Sequence, residues 1–393
     1  AGIVYVAGVD THKVHALKAA GGTPLWTFTA GGRIDSPPTV AGALCLFGCR
    51  DGYVYCLRAS DGELAWRFRA AQTNRRLGAY GQVESVWPVH GSVLVRRGLV
   101  YIAAGRSSFV DGGISLYALD LETGEIRHQR QLHDKPMTME NPAGSGPMDM
   151  LQGARTDIMA SGADSIYMSR VQLDDKLTVR PNDSVNRQGR RKTGLHLSAT
   201  SGFLDDTYFN RSFWMYARVW PGYTLAASAP KSGQILAFDD STTYSVKVFD
   251  RRGPGNHFRS GYFKPGSGYL LCADDNSNEP QQSSRVKGAE GERPDQIRPK
   301  PAKWMRRIPI RVRAMVLAER TLLLAGPPDE IPADDPLAAL QGRKGAMLWA
   351  LSTRDGKTIA ECKLAYPPVF DGMASAADAL FVVLKSREVI CFR

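Results

Sequence analysis

A ten-residue phrase returns at intervals along this chain of 393 residues. Leu17-Lys-Ala-Ala-Gly-Gly-Thr-Pro-Leu-Trp26 comes back 40 positions later as Leu57-Arg-Ala-Ser-Asp-Gly-Glu-Leu-Ala-Trp66. It recurs as Leu119-Asp-Leu-Glu-Thr-Gly-Glu-Ile-Arg-His128 and, more faintly, as Leu351-Ser-Thr-Arg-Asp-Gly-Lys-Thr-Ile-Ala360. Each copy reads as the end of one strand, a tight turn and the start of the next. Self-similarity at a period of about 40 to 50 residues implies a stacked or radial array of one small unit.

Upstream of each phrase lies a second pattern. Ile3-Val-Tyr-Val-Ala-Gly8 with Lys13-Val-His-Ala-Leu17 is two short strands and a turn, and Ala43-Leu-Cys-Leu-Phe-Gly48 with Tyr53-Val-Tyr-Cys-Leu57 repeats it. Val100 to Leu119 and Leu380 to Phe392 carry it again. The runs are rich in β-branched and aromatic residues and are bounded by Gly and Asp turns, and no long 3.6-residue periodicity competes. The fold class expected is all-β: a single β-propeller over 1–393 with four-stranded units at 1–31, 33–70, 84–132, 155–217, 218–307, 308–364 and 365–393. Seven is a common blade number, and radial closure hides sheet edges. The first and last units each lack one strand. Eight blades would result if a lost segment preceded Ala1, and the chain reads as part of a larger polypeptide or complex. Polar loop insertions are expected at 133–153, 179–194, 276–303 and 327–343.

The phrase, with its Gly turn and its Trp, resembles the pyrroloquinoline-quinone-type (PQQ-like) propeller repeat. Gly48-Cys-Arg-Asp-Gly-Tyr-Val-Tyr-Cys-Leu57 and Asp61-Gly-Glu-Leu-Ala-Trp66 match it closely. The likeness is strong over 1–132, fair over 308–393 and poor between. It extends to quinoprotein alcohol dehydrogenases, an outer-membrane-assembly propeller lipoprotein and large PQQ-like proteins of planctomycete-type bacteria. The resemblance implies that Trp26 and Trp66 dock neighbouring blades and that the setting is extracytoplasmic, periplasmic or secreted. In the dehydrogenases a vicinal Cys-Cys disulfide stacks on the quinone beside Ca²⁺ and a catalytic Asp. This chain has no Cys-Cys pair, so PQQ is not expected. The acidic doublets Asp205-Asp206, Asp239-Asp240 and Asp274-Asp275 follow apolar runs as strand-ending turns do; Ca²⁺ at one of them stays open, although no Asp-x-Asp-x-Asp-Gly loop is present.

The repeat also serves as a ruler. With the units aligned on their second strand, Asp35, Asp157, Arg313 and Asp371 stand seven residues before the turn residues Gly42, Asp164, Arg320 and Asp378, and His90 falls there when one extra residue is allowed. Arg211 is a candidate equivalent in a degenerate unit. An innermost propeller strand begins near this position, so five or six ionisable groups would line one funnel. They could bind an acidic glycan, or supply an acid–base pair of His90 with Asp35, Asp157 or Asp371. A water-filled polar channel is the plainer alternative. Glu84 and Trp87 stand close to His90 and suit carbohydrate contact, although Trp87 reads slightly better as blade packing. Asp206 is a further funnel candidate.

The balance of 50 basic and 39 acidic residues gives a net charge of +11. That could favour an anionic partner, although a merely basic, soluble surface is the plainer reading; no specific nucleic-acid signature accompanies the charge, and no apolar run is long enough to span a membrane. The six cysteines have no metal spacing; most lie in apolar strands, as in Val389-Ile-Cys-Phe392, where they act as small hydrophobes. Three functions follow in order: a non-catalytic propeller binding a protein or glycan at its funnel, a polysaccharide lyase or glycoside hydrolase, and a quinoprotein dehydrogenase.

Overall fold

The computed structural model describes residues 2–134, 154–169, 171–180, 191–199, 202–204, 214–220, 229–247, 266–280 and 298–393. Among these, every regular element is a β-strand. The chain groups into two compact units, one of residues 1–183 with 202–204 and the other of 184–201 with 205–393.

The first unit opens with β1 (Ile3–Gly8), β2 (Lys13–Lys18) and β3 (Pro24–Thr29), a three-stranded antiparallel meander. A four-stranded sheet follows: β4 (Thr39–Ala41), β5 (Leu44–Gly48), β6 (Tyr53–Arg58) and β7 (Leu64–Arg69). A separate hairpin, β8 (Arg76–Ala79) with β9 (Gln82–Ser85), interrupts the series. The next sheet is β10 (Leu94–Arg96), β11 (Leu99–Ala104), β12 (Ile114–Asp120) and β13 (Ile126–Leu132). A small sheet of β14 (Ala160–Ser161), β15 (Ile166–Met168) and β16 (Val171–Leu173) completes the unit.

The second unit holds β17 (Arg191–Ala199), β18 (Trp214–Trp220) and β19 (Ser232–Gly233) as one sheet. β20 (Ile235–Phe238), β21 (Thr242–Lys247), β22 (Tyr269–Asp275) and β23 (Trp304–Ile308) form the next. Then come β24 (Ala314–Ala318), β25 (Thr321–Gly326), β26 (Ala346–Ser352) and β27 (Thr358–Leu364). The last sheet is β28 (Pro368–Ala376), β29 (Ala379–Leu384) and β30 (Val389–Phe392). Within each sheet the strands pair in chain order, which is the meander of a propeller blade. The described residues thus hold eight sheets of three or four strands. The expected unit 155–217 is divided between the β14–β16 sheet and most of the β17–β19 sheet.

Apolar side chains on both faces of the middle strands explain why the sheets stack. Leu46, Val54 and Cys56 of the β4–β7 sheet pack against Val100, Ile102 and Leu119 of the β10–β13 sheet. Tyr101, Ile114 and Leu116 continue onto Ile166 and Met168. In the second unit Ala325 and Leu348 meet Leu380 and Val382. The outermost strands alternate instead between exposed and half-buried residues, as β7 does, because one face looks to solvent.

The recurrent phrase is one turn built four times. Arg58 N–H reaches the Glu63 carbonyl and Gly62 N–H returns to the Arg58 carbonyl, both at 2.8 Å. The same two bonds join Lys18, Thr23 and Gly22; Asp120, Glu125 and Gly124; and Ser352, Lys357 and Gly356. A register shift precedes each turn at the phrase's first leucine: Leu17, Leu57, Leu119 and Leu351. The fifth residue of the phrase holds the loop in three copies: Asp61 Oδ1 accepts Glu63 N–H at 3.1 Å, Asp355 Oδ1 accepts Lys357 N–H at 3.2 Å, and Thr123 Oγ1 accepts Glu125 N–H at 3.3 Å. With aspartate this is an Asx turn, and with threonine its hydroxyl counterpart.

The glycine and the tryptophan of the phrase meet across sheets. Trp26 Nε1 donates to the Ala59 carbonyl at 3.0 Å, Trp66 to Leu121 at 3.1 Å, and Trp304 to Thr353 at 2.8 Å. Under each indole lies the turn glycine of the next sheet, Gly62, Gly124 or Gly356, with φ of 77°, 71° and 69°. A Cβ there would stand 2.6 to 2.7 Å from the ring. The position therefore needs glycine twice, for the left-handed backbone and for the indole.

Four cysteines, Cys45, Cys49, Cys56 and Cys272, are buried and free, as expected of small hydrophobes. Cys362 and Cys391 are free but exposed. For Cys391 this corrects the expectation: it lies on β30, the edge strand of a three-stranded sheet, where one strand face stays open.

Candidate functional site

In the first unit the repeat position beneath the ruler becomes a chain of contacts. Gly48 ends β5, and its N–H donates to the Gly91 carbonyl at 3.0 Å, while Val89 N–H donates to the Cys49 carbonyl at 3.1 Å. A Cβ on Gly48 would fall 1.9 Å from the His90 carbonyl oxygen, so only glycine lets this segment cross the strand end. The crossing sets His90 beside Asp35.

Asp35 is almost wholly engaged. Its Oδ2 accepts His90 Nδ1 at 3.0 Å and Arg50 Nη2 at 2.6 Å. Its Oδ1 accepts Gly91 N–H at 2.8 Å and Ser36 Oγ at 3.1 Å. Burial pushes this carboxyl upward, but the His90 hydrogen bond, the charges of His90 and Arg50 and the Gly91 N–H outweigh it. The net result lies well below the usual carboxylate range. An ionised carboxylate only accepts, so His90 carries its proton on Nδ1. His90 Nε2 then faces inward, buried and without a hydrogen-bond partner among the described residues.

Asp157 lines the same small pocket as His90, together with Ser92, Tyr101 and Met159. Its Oδ1 accepts Ile158 N–H at 2.8 Å and Phe203 N–H at 3.0 Å, while Oδ2 has no partner. Burial raises its carboxyl pKa, opposed by the Phe203 N–H, the charge of His90 and the Ile158 N–H. The cavity measures about 10 Å³, the room of one water at most.

Arg313 and Asp371 meet in the second unit. Arg313 is buried, its Nε donates to the Pro368 carbonyl at 3.2 Å, and its own carbonyl accepts Asp371 N–H at 2.9 Å. Asp371 sits in β28 at φ 53°, where the register shifts between Pro368 and Met373. Asp371 is exposed as a residue, yet crowding of its carboxyl by protein atoms pushes it up to about 6.

The remaining candidates behave differently. Glu84 is buried against Arg106 Nη2 at 2.7 Å, and its Oε2 has no partner. Trp87 is 4% exposed; its Nε1 donates to the Asp111 carbonyl at 2.8 Å and Arg75 covers the ring at 5.2 Å. The indole packs in the core and offers no face for sugar stacking. Asp206 and Arg211 lie outside the described residues. Of the acidic doublets, Asp239 caps a turn through Ser241 and Thr242, and buried Asp274 pairs with Arg298; Asp205-Asp206 is not described. No group of three or more His, Cys, Asp or Glu that could hold a metal occurs among the described residues.

Sequence reasoning missed Arg50, whose only signal was a turn, Cys49-Arg-Asp-Gly52. It also missed Trp304, because the phrase that should accompany it is absent from its degenerate unit.

Residues 10–165 match the family model described as outer membrane protein assembly factor BamB. A quinohemoprotein alcohol dehydrogenase from Pseudomonas putida superposes at a TM-score of 0.53 with 13% identity, over 97% of this chain and 68% of the enzyme. The chain has a β-propeller fold, and its residues 10–165 carry repeats similar to that family's. A computationally designed protein, Ika8, superposes at 0.52 with 10% identity, over 100% of this chain and 93% of its own. BamB from Moraxella catarrhalis matches at 0.40 with 12% identity, over 99% and 81%. No curated protein matches the sequence. For this repeat protein the quinone does not fit the residues present. The buried cysteines stand singly, and no adjacent pair exists to stack on a quinone. No helix among the described residues is long and apolar enough to cross a membrane.

Proposed function

We propose that this propeller is a non-catalytic binding scaffold for a protein or glycan partner in an extracytoplasmic setting, periplasmic or secreted. The carrying observation is the state of Asp35. Its oxygens are committed to Arg50, His90, Gly91 and Ser36, which ties one sheet to the crossing segment of the next. In the second unit Arg313 Nε reaches the Pro368 carbonyl, and the Arg313 carbonyl accepts Asp371 N–H. At Asp35 and Arg313 the side chain at the repeat position thus serves as a tie between successive segments. The pocket beside them is too small for a sugar ring. The BamB family match adds an assembly factor as precedent for a protein partner.

The scaffold reading is tested by quantitative affinity capture from cells of the source organism against an unrelated propeller of equal charge. A stoichiometric partner retained by His90→Ala supports it. Absence of any partner, glycan array included, sinks it.

One observation favours a second reading, a carbohydrate lyase or hydrolase. Asp35 fixes the His90 tautomer while Nε2 and the raised carboxyl of Asp157 face one pocket, an arrangement of general-base type. Product release from uronic-acid polysaccharides, lost in His90→Ala, would establish it.

A further inference from the structure

The hairpin β8–β9 has no counterpart in the repeat. Between the end of β7 and the start of β10 stand residues 70–93, 24 in number; β3 and β4 are separated by nine and β23 and β24 by five. The extra length is folded and fastened. Gln82 Oε1 meets His12 Nε2 at 2.6 Å, and Arg33 pairs with Asp10 at 3.3 Å while stacking over the Tyr80 ring at 4.7 Å. The half-buried Leu77 packs against the core on the inner side.

Its outer side is unlike the blades. Arg76, Gly78 and Val83 are exposed, with Gly78 directly opposite Val83 in the register. A Cβ on Gly78 would meet nothing within 4 Å, so the strand is bare where another backbone could come close. At the tip, Tyr80 and Gly81 both have positive φ, 52° and 73°. Asn-Gly is the residue pair such a turn prefers, and a bulky side chain there costs about 1 kcal/mol or more. The strained position carries a tyrosine that is 77% exposed, beside Val83 at 61%. Exposed, rigid tyrosine is a common anchor of protein contacts. The surplus charge of the hairpin is positive: Arg33, on the ring, is paired with Asp10, while Arg76 has no carboxylate partner among the described residues. Nearby carboxylates are taken, Asp10 by Arg33 and Asp111 by Arg75.

Resting on the binding-scaffold reading, we infer that the outer face of the β8–β9 hairpin docks an extended, acidic segment of a partner protein. Tyr80 and Val83 supply the apolar anchor, Gly78 the close backbone approach, and Arg76 the charge that selects Asp or Glu. Basic segments are repelled by the same groups.

The test uses the full chain and two fluorescein-labelled octapeptides, one alternating glutamate and valine, the other lysine and valine, followed by fluorescence anisotropy. The glutamate peptide should bind at least tenfold more tightly than the lysine peptide. Tyr80→Asn, which suits a left-handed turn and keeps the hairpin folded, should weaken it tenfold or more. Gly78→Val, placing its methyls in open space, should do the same, and Arg76→Glu should abolish the preference. Equal binding of both peptides, or no binding of either, overturns the inference. Unchanged binding by Tyr80→Asn and Gly78→Val overturns the location while leaving the scaffold reading to the capture experiment.

Discussion

His90 Nδ1 lies 3.0 Å from the Asp35 carboxylate and makes a hydrogen bond that joins two successive repeats of the propeller. Both side chains are nearly buried, 15% and 11% exposed. Removing either partner strands the other in a poorly hydrated site. A double-mutant cycle of Asp35→Asn and His90→Ala, read by chemical denaturation, should give single losses of about 1–3 kcal/mol. The coupling should be of about 1 kcal/mol or more. Additive losses would mean that the contact carries no structural weight.

The Trp66–Gly124 contact predicts a specific epistasis. Trp66→Ala should cost about 2–3 kcal/mol, somewhat below the range for a fully buried tryptophan because the ring is half-buried. Gly124→Ala should cost about 2 kcal/mol, from the left-handed backbone and from the clash with the indole. In the Trp66→Ala background the second cost should fall by about half, since only the backbone part persists. Thermal denaturation of the four proteins measures this.

The two ends of the carboxylate range give opposite pH effects. Asp35 is held below its unfolded value, so its contribution is present above about pH 4 and disappears only in stronger acid. Asp371 is raised to about 6, so its contribution is full below about pH 4 and is lost as pH rises through 6. Asp371→Asn should therefore raise the melting temperature at pH 7 by roughly one to two degrees, a modest effect because the residue is exposed. It should leave melting near pH 4 unchanged. A lower melting temperature at pH 7 would assign the ionised carboxylate a favourable contact.

Most of the fold was legible because it rests on local chemistry. Gly and Asp at fixed offsets write a turn, and β-branched runs write the strands beside it, so copies over 1–132 and 308–393 were readable. Trp304 was not, because its turn partner Thr353–Gly356 lies 49 residues away and its own unit has lost the phrase. The ruler brought Asp35, His90 and Asp157 to one region, and Arg313 with Asp371 to another. It could not show Arg50 on Asp35, since that contact depends on how successive units stack. The β8–β9 hairpin stayed hidden because a four-residue strand with Gly78 inside it has little propensity of its own.

The cysteines offer a check on burial. Cys362 and Cys391 should react rapidly with Ellman's reagent in the native protein, and Cys45, Cys49, Cys56 and Cys272 only on unfolding. Burial supports this by pushing Cys45 and Cys56 up to about 12. A third fast thiol in the native protein would show that one of these sheets opens.

The scaffold claim meets its most direct trial in a single turnover assay. The protein and its His90→Ala variant are incubated with uronic-acid polysaccharides, and the products are separated by size and followed by absorbance. No product above the protein-free control is expected from either, because Asp35 and His90 are committed to each other and their pocket admits no sugar. Product released by the natural sequence and lost in His90→Ala would contradict it and make the Asp35–His90 pair catalytic.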